Sequence, residues 1–188
     1  MQKPVSIPVQ RSYLWSHTFI PGGFDYNISN FSRGDLPVRI FVGMVSADRA
    51  SGSYSLNTMK FEHFDLNGFD ILIDGVSAYG KEVKCNFTEK KFSELYVNTL
   101  KALGFYGAQI GSNINRDNFA NGKTIFGMDL TATFGDGVFF NDPVKTGSVS
   151  IKFSFANALP KAITVYTYCQ YSNRYNLDIN RTLKTDWS

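Results

Sequence analysis

Residues Ser148–Ser172 read SVSIKFSFANALPKAITVYTYCQYS. Val149, Ile151, Phe153 and Phe155 fall on one face of an extended chain, and Ser148, Ser150, Lys152 and Ser154 on the other. Strict alternation of this kind marks a half-buried strand. After the break Ala156–Lys161 the period resumes. Ile163, Val165, Thr167, Cys169 and Tyr171 share one face; Thr164, Tyr166, Tyr168 and Gln170 share the other. Pro160 cannot donate to a ladder and belongs in the connection. Two long β-runs with so short a break predict an antiparallel hairpin. Its apolar face must be covered by further sheet.

The rest of the chain supplies such sheet. Of 188 residues, 43% are hydrophobic, 19% charged and 15% aromatic, with 17 Phe and 10 Tyr, a balance that favours a β-rich core. This length suits one domain over 1–188, with an extended lead at 1–8 and a polar tail at 180–188. Gln10–Ile20 alternates and ends at Pro21-Gly22-Gly23, a turn signal. Phe24–Gly34 is polar and reads as a loop or short edge strand. Leu36–Ser46 is a β-run with apolar residues on both faces, which predicts burial on both sides. Phe61–Leu66 and Phe69–Ile73 flank Asn67-Gly68, a hairpin or bulge signal, and Asp74-Gly75 gives another turn before a weaker strand at Val76–Asn86.

Residues 88–103 break this pattern. Phe92, Leu95, Tyr96, Thr99, Leu100 and Leu103 recur at helical spacing, Thr88 can cap the start and Gly104 stands where a helix ends. Beyond it, Phe105–Lys123 and Phe134–Gly147 read as long loops around the strand Thr124–Thr133, and Tyr175–Ile179 as a last strand. About eight strands with one inserted helix predict an all-β jelly-roll sandwich.

The chemistry is sparse. Two histidines, His17 and His63, and two cysteines, Cys85 and Cys169, follow no metal-ligand spacing and no disulfide framework. A site from His17, His63 and Asp65 would have to be assembled by the fold. GxSxG, GxGxxG, the P-loop and the calcium-loop spacing are absent, so neither a catalytic nor a cofactor-binding residue is assigned, and a non-enzyme is expected. A cupin-like enzyme on this frame would need more histidines. A net charge of +3, without basic runs, predicts no specific nucleic-acid partner. The N-terminus lacks a signal-peptide core and the chain lacks a membrane-length apolar run, which predicts a product made inside the cell. The sequons at Asn27, Asn30, Asn86 and Asn180 then carry no glycan.

Four segments, in order, carry a resemblance. They are QRSYLWSHTFIPGG (10–23), LPVRIFVGMVS…FDLNGFDILIDG (36–75), NINRDNFANGKTIFGMDLTAT (113–133) and GSVSIKFSFANALPKAITVYTYCQYSN (147–173). Together they resemble the C-terminal jelly roll of the double jelly-roll major capsid protein of Polinton and adintovirus-type elements, relatives of the adenovirus hexon group. The resemblance implies a structural protein of a virion, trimeric or assembled with other capsid subunits, or a partner of a missing first jelly roll. It makes Asn115, Arg116, Asp117, Phe119, Phe139, Phe140, Tyr168, Tyr171 and Trp187 candidate subunit-contact residues. The bland alternative for Arg116 and Asp117 is that they pair with each other or cap a loop; for Asp129 it is fixing a turn or a nearby arginine. The competing function is a stand-alone jelly roll that binds carbohydrate or a receptor through Tyr168, Tyr171, Tyr175 and Trp187.

Overall fold

The computed structural model describes residues 5–105, 113–131, 145–178 and 180–185. Ten strands and three helices follow in order: β1 (Val5–Phe19), β2 (Asp25–Asp35), β3 (Arg39–Ser46), α1 (Ala47–Ala50), β4 (Leu66–Ile73), β5 (Val76–Ser77), β6 (Val83–Lys84), α2 (Ser93–Ala102), α3 (Arg116–Ala120), β7 (Ile125–Asp129), β8 (Thr146–Phe155), β9 (Ile163–Leu177) and β10 (Leu183–Thr185). One sheet has the order β1-β9-β3-β7, and the other β2-β8-β4-β5. The short β6 lies on the same edge of β4 as β5, and β10 continues the place of β3 beside β9. Ten strands less these two leave eight positions, four in each sheet. Apart from the β4–β5 hairpin, the chain alternates between the two sheets over these eight positions, and this is the jelly roll.

The expected hairpin at Ser148–Ser172 does not form. β8 pairs with β2 and β4, whereas β9 pairs with β1 and β3 in the opposite sheet. The inward faces follow the two-residue period: Val149, Ile151, Phe153, Ile163, Val165 and Cys169 are all buried. Those two apolar stripes meet across the sandwich instead of side by side. The link between them is tied to the turn after β1: Gly22 N–H donates to the Leu159 carbonyl at 2.9 Å, and Leu159 N–H to the Gly23 carbonyl at 3.0 Å. β1 leads into β2 where β8 leads into β9, so the paired strands cross between sheets together.

Rings close the space between the layers. Phe69 of β4 lies 5.0 Å from Phe126 of β7, and Phe153 of β8 lies 5.2 Å from Phe19 of β1. Each fully buried side chain of this size contributes about 1.5–3 kcal/mol.

Other boundaries also differ from expectation. Residues 25–35 form a long strand, because β8 supplies a partner along their length; the irregularity between Ile28 and Ser32 holds Asn30 at φ 47°. Asn67-Gly68 is a register shift inside β4, not a turn, and residues 61–65 lie outside any strand. Asp74 and Gly75, at φ 50° and 83°, make the tight turn of the β4–β5 hairpin. The weaker strand at 76–86 reduces to β5 and β6. The helix begins at Ser93 instead of Thr88, since Asn86 and Lys91 first pair in a bridge around Lys90 at φ 57°.

A candidate subunit-contact surface

The helix α2 protects the edge of β7. The Thr99 hydroxyl accepts from Gly127 N–H at 2.9 Å and faces the carbonyls of Ile125 and Leu95, each at 2.9 Å. It thus serves the backbone groups that a further strand would otherwise take. Gly127 leaves no room for a side chain, because a Cβ there would meet the Ala102 methyl at 3.0 Å and the Phe41 ring at 3.1 Å.

This docking leaves the outer face of the β1-β9-β3-β7 sheet with a groove of about 470 Å³. The register sets its rows: Gly43 opposite Tyr166, Phe41 opposite Tyr168, and Arg39 opposite Gln170. Phe61 forms one wall, its ring lying where a Cβ on Gly43 would be 2.6 Å away. Ala102, Leu103, Ile114 and Ile125 form the other, and Leu14, 64% exposed, stands at the rim. Among the described lining residues only Arg39 is charged, and its Nε lies 3.7 Å from Asp129 Oδ2. Asp129 also accepts through Oδ1 from Thr131 N–H and Oγ1, at 2.8 and 2.6 Å, so it fixes both the strand end and the arginine. Hydrogen bonds with Ser12 and Gln170, at 3.0 and 3.4 Å, draw the Tyr168 hydroxyl below its ordinary pKa.

The candidate residues separate. Tyr168 lines the groove. Tyr171 does not: three residues later and of opposite parity, it points inward, is 4% exposed and shares a 2.7 Å hydrogen bond with Ser32. Phe119 is likewise fully buried, packed on Phe92 at 5.8 Å and Tyr96 at 5.5 Å. For Phe119 and Tyr171 the contact expectation is corrected: both are core anchors. Asn115, Arg116 and Asp117 are exposed. Asn115 caps α3, accepting from Asn118 N–H at 2.7 Å, and Arg116 donates to the Lys90 carbonyl at 2.7 Å instead of pairing with Asp117. Phe139, Phe140, Trp187 and most of the loop Phe134–Gly147 lie outside the described residues. The groove-lining Phe41, Phe61 and Ile125 were not singled out from sequence; the outward parity of Phe41 beside Gly43 was the available signal.

The set Tyr168, Tyr171, Tyr175 and Trp187 does not assemble into a described binding stripe, because Tyr168 and Tyr171 face opposite ways. His63 stacks on Phe87 at 4.2 Å with Asp65 beside it at 3.6 Å, while His17 packs against Phe31. Among the described residues there is no group of three His, Cys, Asp or Glu side chains placed to hold a metal, and no helix long and apolar enough to cross a membrane. Burial pushes both thiols, Cys85 and Cys169, up to about 12, which leaves them neutral at physiological pH and without nucleophilic character.

No protein-family model matches the chain. It is 26% identical over 182 residues to an uncharacterized protein of Caenorhabditis elegans, covering 95% of this chain and 43% of that one. The chain thus spans less than half the length of the curated relative it matches. Among solved structures it is similar to a quasi-atomic model of the PBCV-1 virus capsid, with TM-score 0.55 and 9% identity, over 100% of this chain and 52% of that one. A PBCV-1 crystal structure fitted into a reconstruction of the virophage Sputnik gives TM-score 0.52 at 10% identity, again over 100% and 52%. At such identities the likeness is one of fold: a jelly roll like those that build viral capsids.

Proposed function

We propose that this chain is a capsid jelly-roll domain of viral or virus-derived origin, working without catalysis through contacts with other capsid subunits in a virion. The observation that carries the reading is the fold match over the whole chain, with the eight-position strand order, to half of a viral capsid chain. The four ordered sequence segments favour the Polinton and adintovirus type within that class. An exposed ring-lined groove on one sheet is what a shell subunit needs, since contacts between subunits place aromatic residues at their centre and charge at their rim. The groove and the exposed face of α3, with Asn115, Arg116 and Asp117, are the proposed contact regions; Tyr168 belongs to the first.

Electron microscopy of the concentrated, purified protein tests this function. Closed shells, or ordered two-dimensional arrays, are expected. Dispersed particles that never order, combined with saturable binding to a glycan array, would overturn it in favour of the carbohydrate-binding module.

A further inference from the structure

The loop from Ser51 to Met59, SGSYSLNTM, holds three apolar side chains out to solvent: Tyr54 fully, Met59 at 70% and Leu56 at 38% exposure. The loop is shaped, since Arg49 donates to the Asn57 carbonyl at 3.2 Å and Met59 N–H to Asn57 Oδ1 at 2.9 Å. Its nine residues carry no charge. The chain leaves it through Lys60, which pairs with Glu62 at 2.9 Å, into Phe61, the wall of the groove, so the loop ends beside the groove.

We infer that the Ser51–Met59 loop of one copy seats in the outer-sheet groove of a second copy, reciprocally, with Tyr54 as the inserted side chain. Charge selects this occupant. Among the described lining residues the one cation, Arg39, is already matched by Asp129, so a charged insert would be desolvated without a partner there. What the groove leaves unanswered is an acceptor: Gln170 Oε1 is buried and has no hydrogen-bond partner among the described residues. An uncharged loop with a phenol at its tip supplies both the apolar area and the donor. Tyrosine is also among the side chains that dominate contact energy when seated in a pocket. Knob and hole on neighbouring parts of one surface suit a two-fold pair, in which each contact occurs twice. This inference rests on the capsid reading for its context and deepens it by naming the segment that fills the groove.

Sedimentation velocity over a concentration series tests it, using the full chain as wild type, Tyr54→Ser, Leu14→Arg and an equal mixture of the two variants. Both positions are exposed, so far-ultraviolet circular dichroism and melting temperature should match the wild type. Each variant alone should self-associate at least about tenfold more weakly. The mixture should regain association above either variant, because the intact loop of one copy meets the intact groove of the other. Wild-type association by Tyr54→Ser overturns the inference. So does weakening by Leu14→Arg alone, which would assign the groove to another segment, or a wild type that stays monomeric. Shells formed by Tyr54→Ser as readily as by wild type would sink the contact and leave the capsid reading standing; reciprocal pairs that never build shells would do the reverse.

Discussion

Thr99 Oγ1 lies 2.9 Å from the backbone nitrogen of Gly127 and 2.9 Å from the Ile125 carbonyl, and these contacts fasten the helix α2 to the edge of the β1-β9-β3-β7 sheet. Thr99 is fully buried. Replacing it with valine keeps the volume but strips the Gly127 N–H and the Ile125 carbonyl of their partner. Each unsatisfied buried group costs about 1–3 kcal/mol, so Thr99→Val should lose about 2–6 kcal/mol in urea unfolding. A loss within about 0.5 kcal/mol of zero would mean that the edge is satisfied otherwise.

Phe153 is 1% exposed and touches rings of both layers, Phe19 at 5.2 Å and Phe69 at 5.5 Å. Phe153→Ala should cost about 3–5 kcal/mol, close to the whole stability of a marginal domain. Chemical denaturation, or loss of soluble folded protein, reads this out. Unchanged stability would contradict the inward facing of β8.

Gly43 carries the Phe61 ring. Gly43→Ala forces that ring off the sheet, since the new methyl would sit 2.6 Å from it. Overpacking of this kind costs about 1–3 kcal/mol, and here it should also deform the groove. The expected outcome is a lower melting temperature together with weaker self-association. A variant that melts and associates like the wild type would place Phe61 elsewhere.

Stability should decline on both sides of neutrality. Burial raises Cys85 and Cys169 from 9.0, and Tyr171 from 10.0, to about 12, and it raises Tyr79 further. Above pH 9 the unfolded chain gives up these protons before the folded one does, so stability present below that pH is lost as pH climbs toward 12. On the acid side, desolvation lowers His63 from 6.5, the carboxylates of Asp65 and Glu62 opposing it. Its contribution is present above 6.5 and is lost as pH falls through the folded value. Urea midpoints from pH 5 to 11 should trace this dome, and His63→Phe, which keeps a ring on Phe87, should flatten its acid limb. A profile level across the whole range would contradict the burial of these groups.

What could be read from the sequence was facing; what could not was pairing. The two-residue period of Val149–Phe155 and Ile163–Tyr171 fixes which side chains go inward, but says nothing about which strand lies alongside. Only the sandwich decides that the two stripes meet across the core. Polar residues 24–34 read as a loop or short edge strand; they form the edge strand β2, whose length is set by a partner, β8, 120 residues away at the Asn30–Ser150 bond. The sequence places Pro8 at the end of an extended lead; it sits inside β1, an edge strand where a missing donor is tolerated. For the candidate site, the parity of Tyr171 with Cys169 already pointed inward, and the aromatic periodicity that suggested a stripe hid this. Tyr168 is on the groove because its parity is the opposite one. The walls of the groove, Phe61 and the end of α2, come from distant segments and have no shared signature in the chain.

The mass of the purified chain in solution, measured by light scattering over a concentration series, tests most directly whether copies of this domain join. The account predicts a mass that rises from 21.1 kDa to multiples of it as concentration increases. A mass of 21.1 kDa at every concentration would contradict it.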